Sequence, residues 1–467
     1  MTRSQNIVLV CLDSVRKDFF DAHATDLRNS ATLSIDNCRA ASSWSVPSHA
    51  SLITGHLPHQ HGVHAHSPSY DTLSEEETLF SSLREYSKIG VSANVFAGTE
   101  YGFEKFYDSF DDIRPDRRFP DGMSPSDFES DQTGLLRHAE YLKESLKHEN
   151  SVDSLKNGLY AIANNKTKAF PIPKIVDDSG SAVLDRAIHQ VQNYEEPYFL
   201  FINLMDAHIP LQTVRHYDRS GCDVSNNWSS EERTVWELMT NTEDLSEYWE
   251  KRETVYGLVI EYLNRLLVEF ETKLRQVSSS DPTIIVTADH GENHGHDYEN
   301  SMANHKSSLS ESLLHVPFEI LGNPEIKISV GDMSTHLDIP HLIHGLVEGR
   351  DVDFSRTIVP AELVGMSMGP DPPMEVDQEF YQRAIRAVYD SHNRKVEWDS
   401  LGNSMEYTLD PGTPCWQEEV ASGIQIPDRF KQLYDTSIGE YKNHAEAIDS
   451  ATVSGSAESR LEELGYL

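Results

Sequence analysis

The sequence predicts an α/β fold, a mostly parallel sheet with helices on both faces, followed by a small C-terminal α+β subdomain. Three observations carry this. Runs such as Ile7 to Leu12 and Thr283 to Thr287 are apolar without alternation, as strands buried on both faces are. Stripes of apolar residues at helical spacing alternate with such runs. That rhythm ends after Asp351.

The first run, Ile7 to Leu12, is read as a buried strand ending in Asp13-Ser14. Leu79, Leu83 and Tyr86 share one helical face; Gly90 is expected to close that helix, with a strand over Val91 to Phe96. Val183, Leu184, Ala187, Ile188 and Val191 form a second stripe, before a strand from Tyr198 to Met205. Tyr262, Leu266 and Phe270 mark a third helix, before the strand Thr283 to Thr287. Between about 111 and 180 the pattern breaks: a stretch rich in Asp, Pro, Arg and Ser precedes a polar, helical Gln132 to Ala163. The expected organisation is a catalytic domain over 1–350, carrying an insertion at about 111–180. A terminal subdomain and tail follow over 351–467, with Phe380 to Tyr389 and Lys395 to Leu409 as its ordered parts.

The chain has 467 residues and 38% hydrophobic content, enough for a large core. No apolar run approaches the roughly 18 residues of a membrane span. The short run before Asp13 lacks a small-residue cleavage site, so a cytoplasmic location is expected. The net charge of −37, from 76 acidic and 39 basic residues, is spread along the chain and disfavours a nucleic-acid partner. With 16 Lys against 23 Arg, this composition is of the halophilic type, in which a highly acidic surface stays soluble in screening salt. Cys11, Cys38, Cys222 and Cys415 are scattered and suggest neither a disulfide framework nor a zinc–cysteine site.

Two segments carry chemistry. Asp13 and the pair Asp289-His290 stand just past the carboxyl ends of predicted strands, where open parallel sheets bind ligands. Two carboxylates and an imidazole suit a divalent ion. In Ser43-Trp44-Ser45-Val46-Pro47-Ser48-His49, Pro47 suits a first helical turn and Gly55 a helix end. Ser45 is then either an N-cap or a nucleophile favoured by the free N–H groups and the helix dipole.

These residues, in this order, resemble the sulfatase family of the alkaline-phosphatase superfamily, with a Ser-type nucleophile motif. Ser45, Pro47, Ser48, Thr54 and Gly55 match its signature in register. The resemblance makes Ser45 the nucleophile and a metal contact, and Asp13, Asp289 and His290 the metal ligands. It makes His208 and Lys306 substrate-side groups, with Glu311, Val316 and Pro317 at the family's spacing. The ending Leu461 to Leu467 also looks like the family's. It implies an alkaline-phosphatase-like sheet, one divalent ion (Ca²⁺), and a small-molecule or glycan sulfate ester substrate. It also implies oxidation of residue 45 to formylglycine, whose hydrate attacks sulfur and later expels sulfate.

Departures open an alternative. His49 stands where Arg usually supports the modified residue, and Ser14 where a second Asp ligand is usual. His290 replaces the Asn of many calcium sulfatases, which tilts the ion towards Mn²⁺ or Zn²⁺. An unmodified Ser45 would suit a phosphodiesterase, phosphonate monoesterase or phosphoglycerol transferase. A catalytically silent binding protein of the same fold is the third reading, which retention of the whole charged set disfavours. Among the remaining histidines (His61, His294, His296, His305 and His315), His305 is singled out because it adjoins Lys306. A second metal built from Asp206, His208 and His305 is a minor reading.

Overall fold

The computed structural model describes residues 5–167, 172–240, 243–370 and 372–447. Its main sheet has seven strands: β1 (Ile7–Leu12), β2 (Leu33–Ser34), β3 (Ser87–Ser92), β4 (Ser109–Asp112), β5 (Tyr198–Leu204), β6 (Thr283–Ala288) and β7 (Phe318–Leu321). Their spatial order is β2–β7–β6–β1–β5–β3–β4. β6, β1, β5, β3 and β4 run parallel, and β7 and β2 close one edge antiparallel. β1 lies at the centre, in register with β5 and β6 from Ile7 to Leu12, and every residue of it is buried. The ends of β1 and β6 are therefore level, which brings Asp13 beside Asp289.

Among the described residues, the helices of ten residues or more before the second sheet are α1 (Ser45–Thr54), α2 (Gly134–Ser145), α3 (Ser151–Thr167), α4 (Gly180–Val191), α5 (Ser246–Val277) and α6 (Ile339–Glu348). α4 packs on α5, β3 and β5, while α6 packs on α1, so helices cover both faces. The predicted elements over Ile7–Leu12, Tyr198–Met205, Thr283–Thr287 and the stripe Val183–Val191 are present. α5 is 32 residues long, because the apolar face marked by Tyr262, Leu266 and Phe270 continues back through Val255, Tyr256 and Val259.

One expectation is corrected. Leu79–Ser82 is a single 3₁₀ turn rather than a helix, and the strand is Ser87–Ser92, with Gly90 inside it. Gly90 closes nothing. A Cβ there would run into the Phe110 ring, so glycine lets β4 pack its aromatic residue against β3.

The segment from Ile113 to Asp178 leaves the sheet after β4 and carries α2 and α3, which pack on each other. Beyond 350, β8 (Ile358–Val364), β9 (Ala384–Asp390), β10 (Arg394–Asp399), β11 (Ser404–Leu409) and β12 (Gln417–Ser422) form an antiparallel sheet in chain order. Val359, Ala361, Leu363, Ile385 and Tyr389 of that sheet join the main hydrophobic core. The ending Leu461 to Leu467 lies outside the described residues. No helix among the described residues is long and apolar enough to cross a membrane.

Candidate active site

Three carboxyl-end loops and one helix start meet above β1. The Asp13 N–H donates to Leu204 O at 2.9 Å, tying the loop after β1 to the end of β5. The chain then turns through Ser14 at φ 60°, a left-handed conformation, and the Ser14 N–H donates to Asp289 Oδ1 at 3.2 Å. Asp289 Oδ1 also accepts from the His290 N–H at 2.9 Å. Asp289 Oδ2 is buried and has no hydrogen-bond donor.

α1 begins at Ser45, with Trp44 as its N-cap, and ends on Gly55 in the left-handed region at φ 73°. A Cβ on Gly55 would sit 2.8 Å from Leu337 O, so only glycine allows the close approach. Ser45 is not the N-cap. Its Oγ donates to Asp13 Oδ2 at 2.9 Å and lies 3.5 Å from His290 Nε2. The hydroxyl thus points at the carboxylates from the end of a helix whose dipole favours negative charge.

His290 Nδ1 pairs with Gly291 O at 2.8 Å, so Nδ1 carries the proton and the Nε2 lone pair faces the carboxylates. Nε2 is 3.5 Å from Asp289 Oδ2. The candidate ligand atoms of Asp13, Asp289 and His290 all lie within 4.8 Å of one another. Burial raises the pKa of Asp13, and the neighbouring Asp289 charge raises it further. Burial pulls the pKa of His290 down, but Asp289 and Asp13 outweigh it and the net direction is up. Among the described residues, neither carboxylate pairs with a Lys or Arg; the imidazoles of His49 and His290 lie 3.6 and 3.5 Å from Asp289 Oδ2. Two buried carboxylates, one with an orphaned oxygen, beside an imidazole lone pair fit a divalent cation.

His49 lies one turn along α1. Its Nδ1 donates to Ser45 O at 2.8 Å and its Nε2 accepts from Asn203 Nδ2 at 2.9 Å. Burial lowers its pKa to about 4, so it is neutral and bonded on both sides. It therefore fixes the backbone of residue 45 without adding charge. His208 and Lys306 stand further out. The His208 ring lies 5.5 Å from His305, which lies 4.9 Å from His290. Burial lowers the pKa of His208 to about 4. Lys306 Nζ donates to Ser367 O at 3.0 Å and Met368 O at 2.7 Å, carbonyls that lead out of β8. A cavity of about 230 Å³ opens beside Lys306 and His305, walled by Ile209, Pro210, Val235 and Tyr248.

Of the other histidines, His61 bonds Ser51 Oγ and His315 bonds Asp36 O, both as parts of the framework. Asp206 accepts from the Asp178 N–H, facing Gly180 and the start of α4. Among the described residues it joins no cluster of metal-ligating groups with His208 and His305. Sequence reasoning missed Asn94, whose Nδ2 donates to Asp13 Oδ2 at 2.5 Å. It stands two residues past the carboxyl end of β3, the rule that had flagged Asp13. It also missed Asn203, a lone amide inside the apolar β5.

A doubly covered parallel sheet here presents a hydroxyl at a helix start to two buried carboxylates and an imidazole at strand ends. The sulfatase family model matches residues 5–350, and the chain belongs to the sulfatase family. No curated protein matches it by sequence. Solved structures share the fold at low identity. A 2-O GAG sulfatase has a TM-score of 0.54 at 12% identity, with 92% of this chain and 89% of that one covered. The phosphonate monoester hydrolase of Agrobacterium radiobacter has a TM-score of 0.55 at 13% identity, with 99% and 94% covered. That of Silicibacter pomeroyi has a TM-score of 0.51 at 15% identity, with 84% and 87% covered.

Proposed function

We propose that the protein hydrolyses sulfate esters of a small molecule or glycan through a covalent intermediate at residue 45. The observation that carries this is the orphaned Asp289 Oδ2, buried beside Asp13, His290 and the Ser45 hydroxyl. Asp13, Asp289 and His290 would hold one divalent ion, Ca²⁺ by family resemblance or Mn²⁺ or Zn²⁺ by the imidazole ligand. When bound, the ion polarises the ester oxygen and lowers the pKa of the residue-45 hydroxyl.

The chain's own groups do the rest. His49 and Asn203 hold the start of α1 so that the residue-45 oxygen faces the carboxylates. That oxygen passes its proton to Asp13, whose Oδ2 accepts its hydrogen bond. It bonds to sulfur as the S–O bond to the alcohol breaks, while the departing alkoxide takes a proton from Lys306. Lys306 and His208 serve the leaving oxygen, where charge develops. With formylglycine hydrate at residue 45, the second hydroxyl loses its proton, the carbon–oxygen bond to sulfate breaks, and the aldehyde returns. The apolar walls of the cavity beside Lys306 suit the alcohol portion of the ester. A solved relative with a TM-score of 0.50 and 12% identity holds its substrate, D-glucosamine-2-N,6-O-disulfate, which supports a sulfated sugar as one candidate.

The neutral His49 and the imidazole of His290 favour a second reading, a phosphodiesterase or phosphonate monoesterase acting through unmodified Ser45. In that scheme water, not aldehyde collapse, releases the covalent ester. One experiment separates the two: mass mapping of the residue-45 peptide from natively expressed protein, with aryl sulfate and phosphonate ester assays on the same preparation. A peptide lighter by about two hydrogens, with repeated aryl sulfate turnover, supports the sulfatase. An unmodified Ser45 that turns over only the phosphonate ester overturns it.

A further inference from the structure

Glu253 on α5 and His294 and His296 on the loop after the Asp289-His290 pair form a second cluster of ligating side chains, outside the site just described. We propose that these three residues bind a transition-metal dication of the Zn²⁺ class, which clamps the catalytic loop to α5.

The geometry is built for it. Gly295 lies between the two histidines at φ 74°, where a Cβ would meet the Trp249 indole at 2.6 Å. This left-handed turn returns both imidazoles to the same carboxylate. Glu299 locks the turn, its Oε2 accepting from the N–H groups of His294 at 2.7 Å and His296 at 3.0 Å. Glu299 Oε1 is in turn held by Arg16 at 2.7 Å. Glu253 Oε1 lies 3.5 Å from His294 Nδ1 and 2.7 Å from His296 Nε2, and all three ligand atoms fall within 4.8 Å.

The second observation is His294 itself. Its side chain is 0% exposed, and neither ring nitrogen makes a hydrogen bond. Phe19 and Tyr256 meet the ring edge to face and Trp249 stacks on it, so apolar rings rather than polar groups surround it. An imidazole buried with both nitrogens unbonded is costly unless a lone pair has another use. The contact between Glu253 Oε1 and His296 is short but not aligned as a hydrogen bond.

Two imidazoles and one carboxylate are a ligand set for Zn²⁺ with one position left for water. Bonds of about 2.0–2.1 Å in a tetrahedron place ligand atoms roughly 3.3 Å apart. The Glu253–His294 pair, at 3.5 Å, is close to this, and the half-buried His296, at 2.7 Å, has to withdraw from Glu253 by about 0.6 Å. Burial lowers the pKa of His294 to about 4, with Arg16 and Arg252 adding to the fall and Glu253 opposing it, so the ring is neutral and its lone pair free. The ion would join α5 to a loop whose first residues, Asp289 and His290, belong to the active site.

The test uses the full-length protein stripped of metal and titrated with Zn²⁺ alone, then with Co²⁺ as a visible probe. Glu253→Gln and His296→Gln change partly exposed residues, so both should fold; circular dichroism checks this. Each should weaken one Zn²⁺-binding event by about 100-fold or more and abolish the matching Co²⁺ absorption band. Asp289→Asn should leave that event and band in place. Unchanged Zn²⁺ binding in both Glu253→Gln and His296→Gln would overturn the proposal. So would loss of the same event in Asp289→Asn alone, which would place the ion at the active site. Neither result depends on which ester the enzyme cleaves.

Discussion

The carboxyl ends of β1 and β6 and the segment that carries α2 and α3 use their side chains in opposite ways. At the strand ends Asp13, Asp289 and His290 are fully buried, and each is held by at least one short polar contact. In the insertion, α2 and α3 turn Leu136, Leu146, Val152 and Leu159 to solvent, each more than 60% exposed. The first region fixes polar atoms against an apolar sheet, where a misplaced charge is expensive. The second leaves apolar atoms in water, where a substitution meets nothing. Function concentrates where packing and polar contacts over-determine the geometry, and sequence change is tolerated where they do not.

The largest expected effects lie at the strand ends. Ser45→Ala removes the proposed nucleophile while leaving α1, which Ser45 does not cap, intact. Turnover should fall on the order of 10³-fold or more, with an unchanged melting temperature. A steady-state assay and a thermal melt check both halves. His49→Gln should cost about 10–100-fold in kcat, the usual effect of removing a group that orients a reacting one. KM should change little. His49→Asn should lose more than His49→Gln, because the shorter amide cannot span Ser45 O and Asn203.

A pH series tests the buried histidines. Burial lowers His49 and His208 to about 4 and His336 to about 3, from an ordinary 6.5. The unfolded chain therefore binds more protons than the folded one below 6.5. Stability from these groups is complete above that pH and drains as pH falls towards their folded values. Each loses about 1.4 kcal/mol per pH unit in that window. Glu319, raised to about 7 by burial, works in the opposite direction between 4.5 and 7. With His64 and His294, also lowered to about 4, the lowered histidines outnumber the raised carboxyls Glu319, Asp13 and Asp206, so the melting temperature should fall between pH 6.5 and 4.5; a rise would contradict this. The smallest effect belongs to the insertion: Leu146→Ser should shift stability by less than about 0.5 kcal/mol in a denaturant melt.

Legibility in the sequence followed the same division. β1 and β6 could be read because parallel strands buried on both faces are apolar without a break, and the residues that end them are charged. Ser45, Pro47 and Gly55 could be read because helix boundaries demand particular residues. Gly90 misled because glycine ends helices and also admits close packing within sheets, and only the partner strand, with Phe110, decides which. Asn94 and Asn203 were hidden because an amide near a strand end is ordinarily a turn former. Their roles exist only through contacts with Asp13 and His49, distant in the chain. The insertion's helices were visible, but nothing in their composition says what they cover.

The proposed binding of one ion by Asp13, Asp289 and His290 against the residue-45 oxygen is tested most directly by Asp289→Asn. The amide retains Oδ1, which accepts from Ser14 and His290, and replaces only the orphaned Oδ2. Metal content by mass spectrometry and ester turnover should be measured on stripped, reloaded wild type and variant, with aryl sulfate and phosphonate ester as substrates. The variant is expected to fold, to bind one ion fewer than wild type, and to lose turnover on the order of 10³-fold. Wild-type metal content together with wild-type turnover in Asp289→Asn would contradict the account.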